Sequence, residues 1–441
     1  MEKSRVKKLY ITKGGAVMGV GVTLVFITGY LLIIMEHKIK LSRSAIAILT
    51  GILCWIVIMF FGNKESSALA LERSISESSQ IIFFLLGAMA IVELIDLHGG
   101  FSIVTSRIKQ KNKKKLLWIV TLITFFLSSI LDNLTTTIAL IMLIRKMVSD
   151  PKERALFGGM IVIAANAGGA WTVIGDVTTT MLWIGGDLTI FSVMKNLFIP
   201  SILSIIVPAL IVSYKLKDGF EETEQTVENN GVRSKDKITV FCSGVLSLIM
   251  VPVFKTITSL PPFMGILFAL AVMWIITEII HKNDEYPHKE KLSVTQAIRE
   301  SDIASILFFM GILLAISALG AAGILEKTAS FFDENIKNRS LIAVIIGLGS
   351  SVIGNVSLVA ASIKMYPLTL VPPDSHFWNL LAFSTGTGGS IFIIGSAAGI
   401  ALMGLEKISF NWYLKNISLL AFTGFLTGVA AYFLQSLFFL I

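Results

Sequence analysis

The stretch "SSILDNLTTTIAL", residues 128–140, sets Asp132, Asn133 and three threonines inside an apolar run. A carboxylate is costly in a soluble core and costlier in a bilayer, so an ionisable residue at such a place is a functional candidate by default. The surrounding apolar stretch, 116–148, would reach about 50 Å as a single helix, well beyond a hydrocarbon core of about 30 Å. It is basic at both ends, with "KQKNKKK" (109–115) before it and Arg145 and Lys146 in its last turn. One crossing would put basic clusters on both sides of the membrane. A re-entrant hairpin keeps both on the cytoplasmic side and leaves "LDNLTTT" at the tip. Irregular backbone at membrane depth survives only where protein or a water-filled cavity covers it, so the tip is expected to be buried.

The rest of the chain agrees with a membrane setting. Of 441 residues 54% are hydrophobic and only 15% charged, where a soluble protein carries about 25% charged residues. The fold class read from this is an all-α polytopic membrane protein. Spans are expected at 14–35, 44–62, 80–98, 155–186, 189–213, 238–254, 262–280, 304–325, 377–403 and 414–440. The first run is too long for a signal-peptide core and is kept as a span. The net charge of +8 sits in loops, which fits the positive-inside rule and calls for no nucleic acid. Cys54 and Cys242 lie in apolar segments and read as small hydrophobes.

A second stretch, 340–368, repeats the first. "SSVIGNVS" (350–357) follows "SSILDNLT" (128–135) with Asn355 222 positions after Asn133. "GTGGSIFIIGSA" (386–397) follows "NAGGAWTVIGDV" (166–177) at an offset of 220, and "LFFMGILLA" (307–315) follows "FFLLGAMAI" (83–91) at 224. Offsets of 220 to 224, nearly constant across three landmarks in the same order, point to an internal duplication. If the loop 99–115 is inside, the polar loops 214–237 and 281–300, with Lys215, Lys217, Lys235, Lys237, Lys282, Lys289 and Lys291, are inside as well, and the two copies are inverted. Inverted repeats around broken helices mark secondary transporters. The basic "MEKSRVKKLY" then falls outside, as do Lys337, Arg339 and Lys364 flanking the second hairpin. The expected domains are N-terminal spans 1–79, a first repeat 80–213 (hairpin 116–148, broken helix 155–186), cytoplasmic loops and two linking spans 214–303, and a second repeat 304–441 (hairpin 340–368, broken helix 377–403).

Each copy carries a glycine-broken span. Gly168, Gly169 and Gly175 each weaken a helix by about 1 kcal/mol relative to alanine. A single Gly-Gly pair reads as close helix packing; the same pair in both copies, just beyond a polar hairpin, reads as a cation site formed by freed carbonyls. Five carboxylates lie at membrane depth or near the interface. Asp132 is beside Asn133, Thr135, Thr136 and Thr137, oxygen ligands suited to a hard cation. Asp176 closes the broken helix and precedes Thr178 and Thr179. Asp302 opens the span 304–325 and reads equally as a helix cap or a functional acid. Glu93 and Asp96 share a helix face near the cytoplasmic end and read as a proton path or as solvated groups. His98 beside them reads as a solvated interfacial histidine, and His37, His281, His288 and His376 show no metal spacing.

These motifs together resemble the NhaD-type sodium/proton antiporters of the ion-transporter superfamily, over nearly all of residues 80–440. The resemblance implies exchange of cytoplasmic Na⁺ or Li⁺ for external H⁺ by alternating access in the inner membrane, by a homodimer and without a cofactor. Carried over by motif, it implies functional roles for Ser128, Asp132, Asn133, Asn166, Asp176, Thr178, Thr179, Asp302, Ser350, Asn355, Thr387 and Ser390, with Thr135 in support. Na⁺ is expected at Asp132, Asn133 and Asp176. The second hairpin departs from the family pattern Asp-Asn-Val-Pro: here it reads Gly354-Asn355-Val356-Ser357. A second cation site would therefore depend on Asn355, hydroxyls and carbonyls.

The runner-up is a Na⁺-coupled symporter of a small anion such as a dicarboxylate or sulfate. Anions are held by helix N-termini or basic residues, and the central spans contain no arginine. An enzyme is not expected, since no histidine is deep enough to serve a nucleophile, and no phosphate-binding P-loop supports a primary pump.

Overall fold

A computed structural model describes residues 13–105, 112–216, 233–282 and 288–439. The basic N-terminal stretch 1–10, Lys109, Lys111 and Lys217 lie outside the described residues, as do the side chains of His37, Lys146, His288 and Lys289. Every regular element among the described residues is α-helical. The principal helices are α1 (Lys13–Ile34), α2 (Arg43–Phe61), α3 (Lys64–Leu97), α4 (Lys113–Ser128), α5 (Asn133–Met147), α6 (Pro151–Ala170), α7 (Val177–Gly185), α8 (Ile190–Lys215) and α9 (Ser234–Thr258). They continue with α10 (Pro262–Ile280), α11 (Ile303–Ala321), α12 (Ile324–Asn335), α13 (Arg339–Ile353), α14 (Asn355–Met365), α15 (His376–Gly388), α16 (Ala397–Glu406) and α17 (Ser418–Phe439).

Eight of these, α1, α2, α3, α8, α9, α10, α11 and α17, are long and apolar enough to cross a bilayer. The chain is a multi-pass membrane protein. The two remaining expected spans are the broken ones: 155–186 forms α6 and α7, and 377–403 forms α15 and α16. Each expected hairpin is a pair of short helices, α4–α5 and α13–α14, too short to span singly.

One boundary differs from the hydropathy reading. The span expected at 80–98 is the second half of α3, which begins at Lys64 and runs for 34 residues. The Asn63 side chain starts it by accepting the backbone N–H of Glu65 (3.1 Å) and Ser66 (3.2 Å). No glycine or proline interrupts 64–80, so the helix continues through a polar sequence that hydropathy leaves out.

The helices form two compact units. Of the described residues, the first comprises 13–85, 302–339 and 360–371. Its core is α2 packed on α1 and on α11. Gly51 and Gly311 let α2 and α11 approach closely: a Cβ on Gly311 would lie 2.4 Å from the Ala47 carbonyl carbon. Trp55 Nε1 donates to Leu314 O at 3.0 Å and Ser44 Oγ to Ala304 O at 2.6 Å, which satisfies polar groups across the same contact. Lys364 and Glu77 form an ion pair within this unit.

The second unit comprises the described residues within 86–301, 340–359 and 372–439. Its axis is α6, buried from Phe157 to Ala170 on every face. Such a helix needs neighbours all round, and α4, α5, α8, α15 and α16 supply them. At one end Glu406, the last residue of α16, bridges Arg145 of α5 (2.7 Å) and Arg154 of α6 (3.1 Å). Arg154 also donates to Ser149 O at 2.7 Å.

Candidate functional site

Hairpin and broken helix are assembled by hydrogen bonds that helices cannot make internally. Between α4 and α5 the chain turns at residues 129–132. Asp132 caps α5: Oδ1 accepts the Thr135 N–H at 2.8 Å, and Oδ2 accepts the Thr135 hydroxyl at 2.7 Å. Ser128 Oγ donates to Ala165 O at 2.7 Å, and Thr172 Oγ1 donates to Ser129 O at 2.6 Å, fastening the turn to α6 and to the break that follows it.

The break runs from Trp171 to Asp176. Asp176 caps α7, accepting the Thr178 N–H at 2.9 Å. Its other oxygen accepts Asn133 Nδ2 at 3.1 Å. Asn133 Nδ2 also donates to Asn166 Oδ1 at 2.9 Å. Asn166 Nδ2 in turn donates to Ser390 Oγ at 2.8 Å and Ser396 Oγ at 2.9 Å. Asn166 is fully buried, Asp176 is 2% exposed and Asn133 6%. Thr136 and Thr137, one turn into α5, have buried hydroxyls without a hydrogen-bond partner. Buried amides and carboxylates of this kind demand partners, and here each amide meets one.

The glycines explain how the pieces approach. A Cβ on Gly168 would lie 2.2 Å from Phe125 O, and one on Gly175 2.4 Å from Ser128 O. The second copy makes similar contacts at offsets of 220 to 223. A Cβ on Gly388 would lie 2.2 Å from Gly347 O, and one on Gly395 2.8 Å from Ser351 O. Ser350 Oγ lies 3.1 Å from Thr385 O, as Ser128 Oγ lies by Ala165 O.

Of the residues expected at a site, the second unit therefore joins Asn133, Asn166, Asp176 and Ser390 in one hydrogen-bonded set, with Asp132 one residue before Asn133. Thr135 serves Asp132. Thr179 Oγ1 donates to the carbonyl of the capping Asp176 at 2.9 Å and lies 3.4 Å from Gly169 O across the break. Thr387 Oγ1 is likewise committed to Phe383 O at 2.6 Å. Asn355 Oδ1 accepts the Val356 N–H at 2.9 Å. Asp302 belongs to the first unit, where it caps α11 by accepting the Ser305 N–H at 3.0 Å. Glu93 lies within the electrostatic reach of Asp96, Glu300 and Asp132.

His98 is not the solvated residue expected from its place near a span end. It is fully buried, and its Nε2 lies 2.9 Å from Nε2 of His281, itself 3% exposed. The ends of α3 and α10 bring the rings together, which no sequence spacing across 183 positions reveals. Ser396 belongs to the hydrogen-bonded set and went unread in the sequence, as did the His98–His281 contact and the charge of Glu300 near Glu93. Ser396 had a signal, since it occupies in "GTGGSIFIIGSA" the place of Asp176 in "NAGGAWTVIGDV".

Comparison with known proteins bears on this geometry. The citrate transporter (CitMHS) family matches residues 30–380. The chain is 48% identical to sodium/proton antiporter 1 of Arabidopsis thaliana, over 94% of this chain and 72% of that protein. It is 30% identical to the Na⁺/H⁺ antiporter NhaD of Vibrio cholerae, over 90% of this chain and 88% of that one. The chain belongs to the NhaD antiporter family. For a member of this family the fold also has a solved counterpart, the YdaH transporter of Alcanivorax borkumensis, at TM-score 0.57 and 10% identity, covering 95% of this chain and 98% of that one. At the second tip Gly354 has φ +89°, a region that other residues enter only with strain.

Proposed function

We propose that this protein is a secondary active transporter exchanging cytoplasmic Na⁺, or Li⁺, for external H⁺ by alternating access in the cell membrane. The observation that carries the reading is the buried run Asp176–Asn133–Asn166 at the junction of a hairpin tip and a broken helix, with Asp132 capping the same tip. A carboxylate removed from water is stable either protonated or beside a cation. Buried Asp176 and half-buried Asp132, with amide and hydroxyl oxygens around them, bind H⁺ or Na⁺ in competition, and that competition couples the two fluxes. Carboxylate, amide, hydroxyl and carbonyl oxygens are the ligands a hard cation takes.

The two copies are read as inverted repeats, and alternating access exposes the site to one side of the membrane at a time. Glu93, Asp96 and Glu300 supply negative charge on the cytoplasmic approach, which concentrates cations there. The reading needs no cofactor and no catalysed bond change, and a homodimer is proposed by resemblance. The hydrogen-bonded set holds only carboxylates, amides and hydroxyls, which favours a cation over a small anion as cargo.

Everted vesicles loaded with a pH-sensitive dye test it. Addition of NaCl or LiCl is expected to dissipate an acid-inside gradient with wild type and not with Asp132→Asn or Asp176→Asn. Equal responses from all three overturn the assignment, and Na⁺-stimulated uptake of labelled succinate or sulfate would replace it with anion symport.

A further inference from the structure

The two copies share their glycine contacts but not their charge. Asp132 corresponds to Gly354, and Asp176 to Ser396, at offsets of 222 and 220. Both carboxylates of the candidate site therefore come from the first copy. At the second tip Gly354 offers no side chain, and the Asn355 carbonyl oxygen is turned onto its own backbone, accepting the Val356 N–H at 2.9 Å. Thr387, which donates its hydroxyl to Phe383 O at 2.6 Å, offers a neutral oxygen and no charge at this place.

What fills the corresponding place in the second copy is an amide. Asn166 Nδ2 donates one N–H to Ser390 Oγ and the other to Ser396 Oγ, the cap of α16. A cation at these hydroxyls would sit against two amide hydrogens that carry partial positive charge. The amide is not free to turn over. Asn166 Oδ1 accepts Asn133 Nδ2 at 2.9 Å, and Asn133 presents its NH₂ because Asp176, a carboxylate, accepts from it at 3.1 Å. Turning Asn166 would set two NH₂ groups face to face. The charge of Asp176 thus fixes the direction of every hydrogen bond as far as Ser390 and Ser396. The counterpart of Asn166 is Gly386, so the first copy receives no such amide in return.

We propose that the protein carries one Na⁺ per cycle, bound at the Asp132 and Asp176 site of the first copy. The second copy is its neutral counterpart, closed to cations by the side-chain amide of Asn166. This rests on the cation-exchange reading above and adds the number of ions and the reason for it.

The test is equilibrium binding of ²²Na⁺ to the purified full-length protein at alkaline pH, with the Na⁺ dependence of exchange in proteoliposomes. The expected result is one Na⁺ per chain and a Hill coefficient of about 1. Asn355→Ala and Thr387→Ala are expected to leave the count at one. Ser396→Ala is expected to keep the count and to shift half-saturation by less than about fivefold, the loss of one neutral hydrogen bond. Two Na⁺ per chain, or a count that falls in Asn355→Ala or Thr387→Ala, overturns the proposal even if exchange itself is confirmed. No Na⁺ bound by the wild type overturns the cation-exchange reading and this proposal with it. The wild-type count decides the matter even if a variant fails to fold.

Discussion

Asn133 donates its side-chain amide to Asp176 at 3.1 Å, joining the tip of the first hairpin to the cap of α7 across 43 positions of sequence. Both residues are nearly inaccessible to water. The bond sets which face of Asn133 is donor and which is acceptor, and through Asn166 it reaches the second broken helix.

Removing that bond should weaken cation binding more than stability. Asn133→Ala takes a hydrogen bond from a charged acceptor, worth about 1.5–3 kcal/mol, or about 10- to 100-fold in affinity. Half-saturation by Na⁺ in everted vesicles should rise by that order. An unchanged value would place Asn133 outside the site.

The glycine contacts predict matched effects in the two copies. Gly168→Ala and Gly388→Ala each drive a Cβ to 2.2 Å from a backbone oxygen, which cannot yield without separating hairpin from broken helix. Both variants should lose exchange and elute as destabilised protein in detergent. Gly404→Ala, where a Cβ meets nothing within 4 Å, is the control and should behave as wild type.

Asp302 is predicted to act as a cap. Asp302→Ala should lower stability by about 1 kcal/mol through loss of the Ser305 N–H acceptor. Asp302→Asn retains an acceptor and should keep both stability and exchange. Loss of exchange in Asp302→Asn at normal stability would instead make the charge functional.

Glu406 holds the far ends of α5, α6 and α16. With Glu406→Ala the two guanidiniums lose a buried acceptor, at a cost of about 1–2 kcal/mol after allowing for their partial exposure. A thermal unfolding series in detergent reads this directly, and Glu406→Gln should recover part of it.

Asp187, in the loop between α7 and α8, gives a pH dependence. It is 2% exposed, and burial pushes its carboxyl up to about 7. The folded state thus prefers the protonated form. Its contribution to stability is fully present below the ordinary carboxylate range, near 3.8, and is lost as pH rises through about 7. Asp187→Asn should remove this loss, so that the unfolding temperature falls less between acid and mildly alkaline pH than it does in wild type.

The sequence by itself determined the membrane class, the eight long spans, the two hairpins and the two glycine breaks. Those features are written locally, in apolar run length, in Gly-Gly pairs and in a nearly constant repeat offset. It also exposed the missing acid at Gly354, because a repeat supplies its own comparison. It stopped short at α3, where a polar helix has no hydropathy signal, and at His98, which is buried only because His281 arrives from another helix. The tertiary structure alone decided which polar groups satisfy one another. Asn166 and Ser396 lie 230 positions apart, and nothing local orients an amide toward a distant hydroxyl. Once buried, each donor must find an acceptor, and the carboxylate of Asp176 sets the direction for the rest.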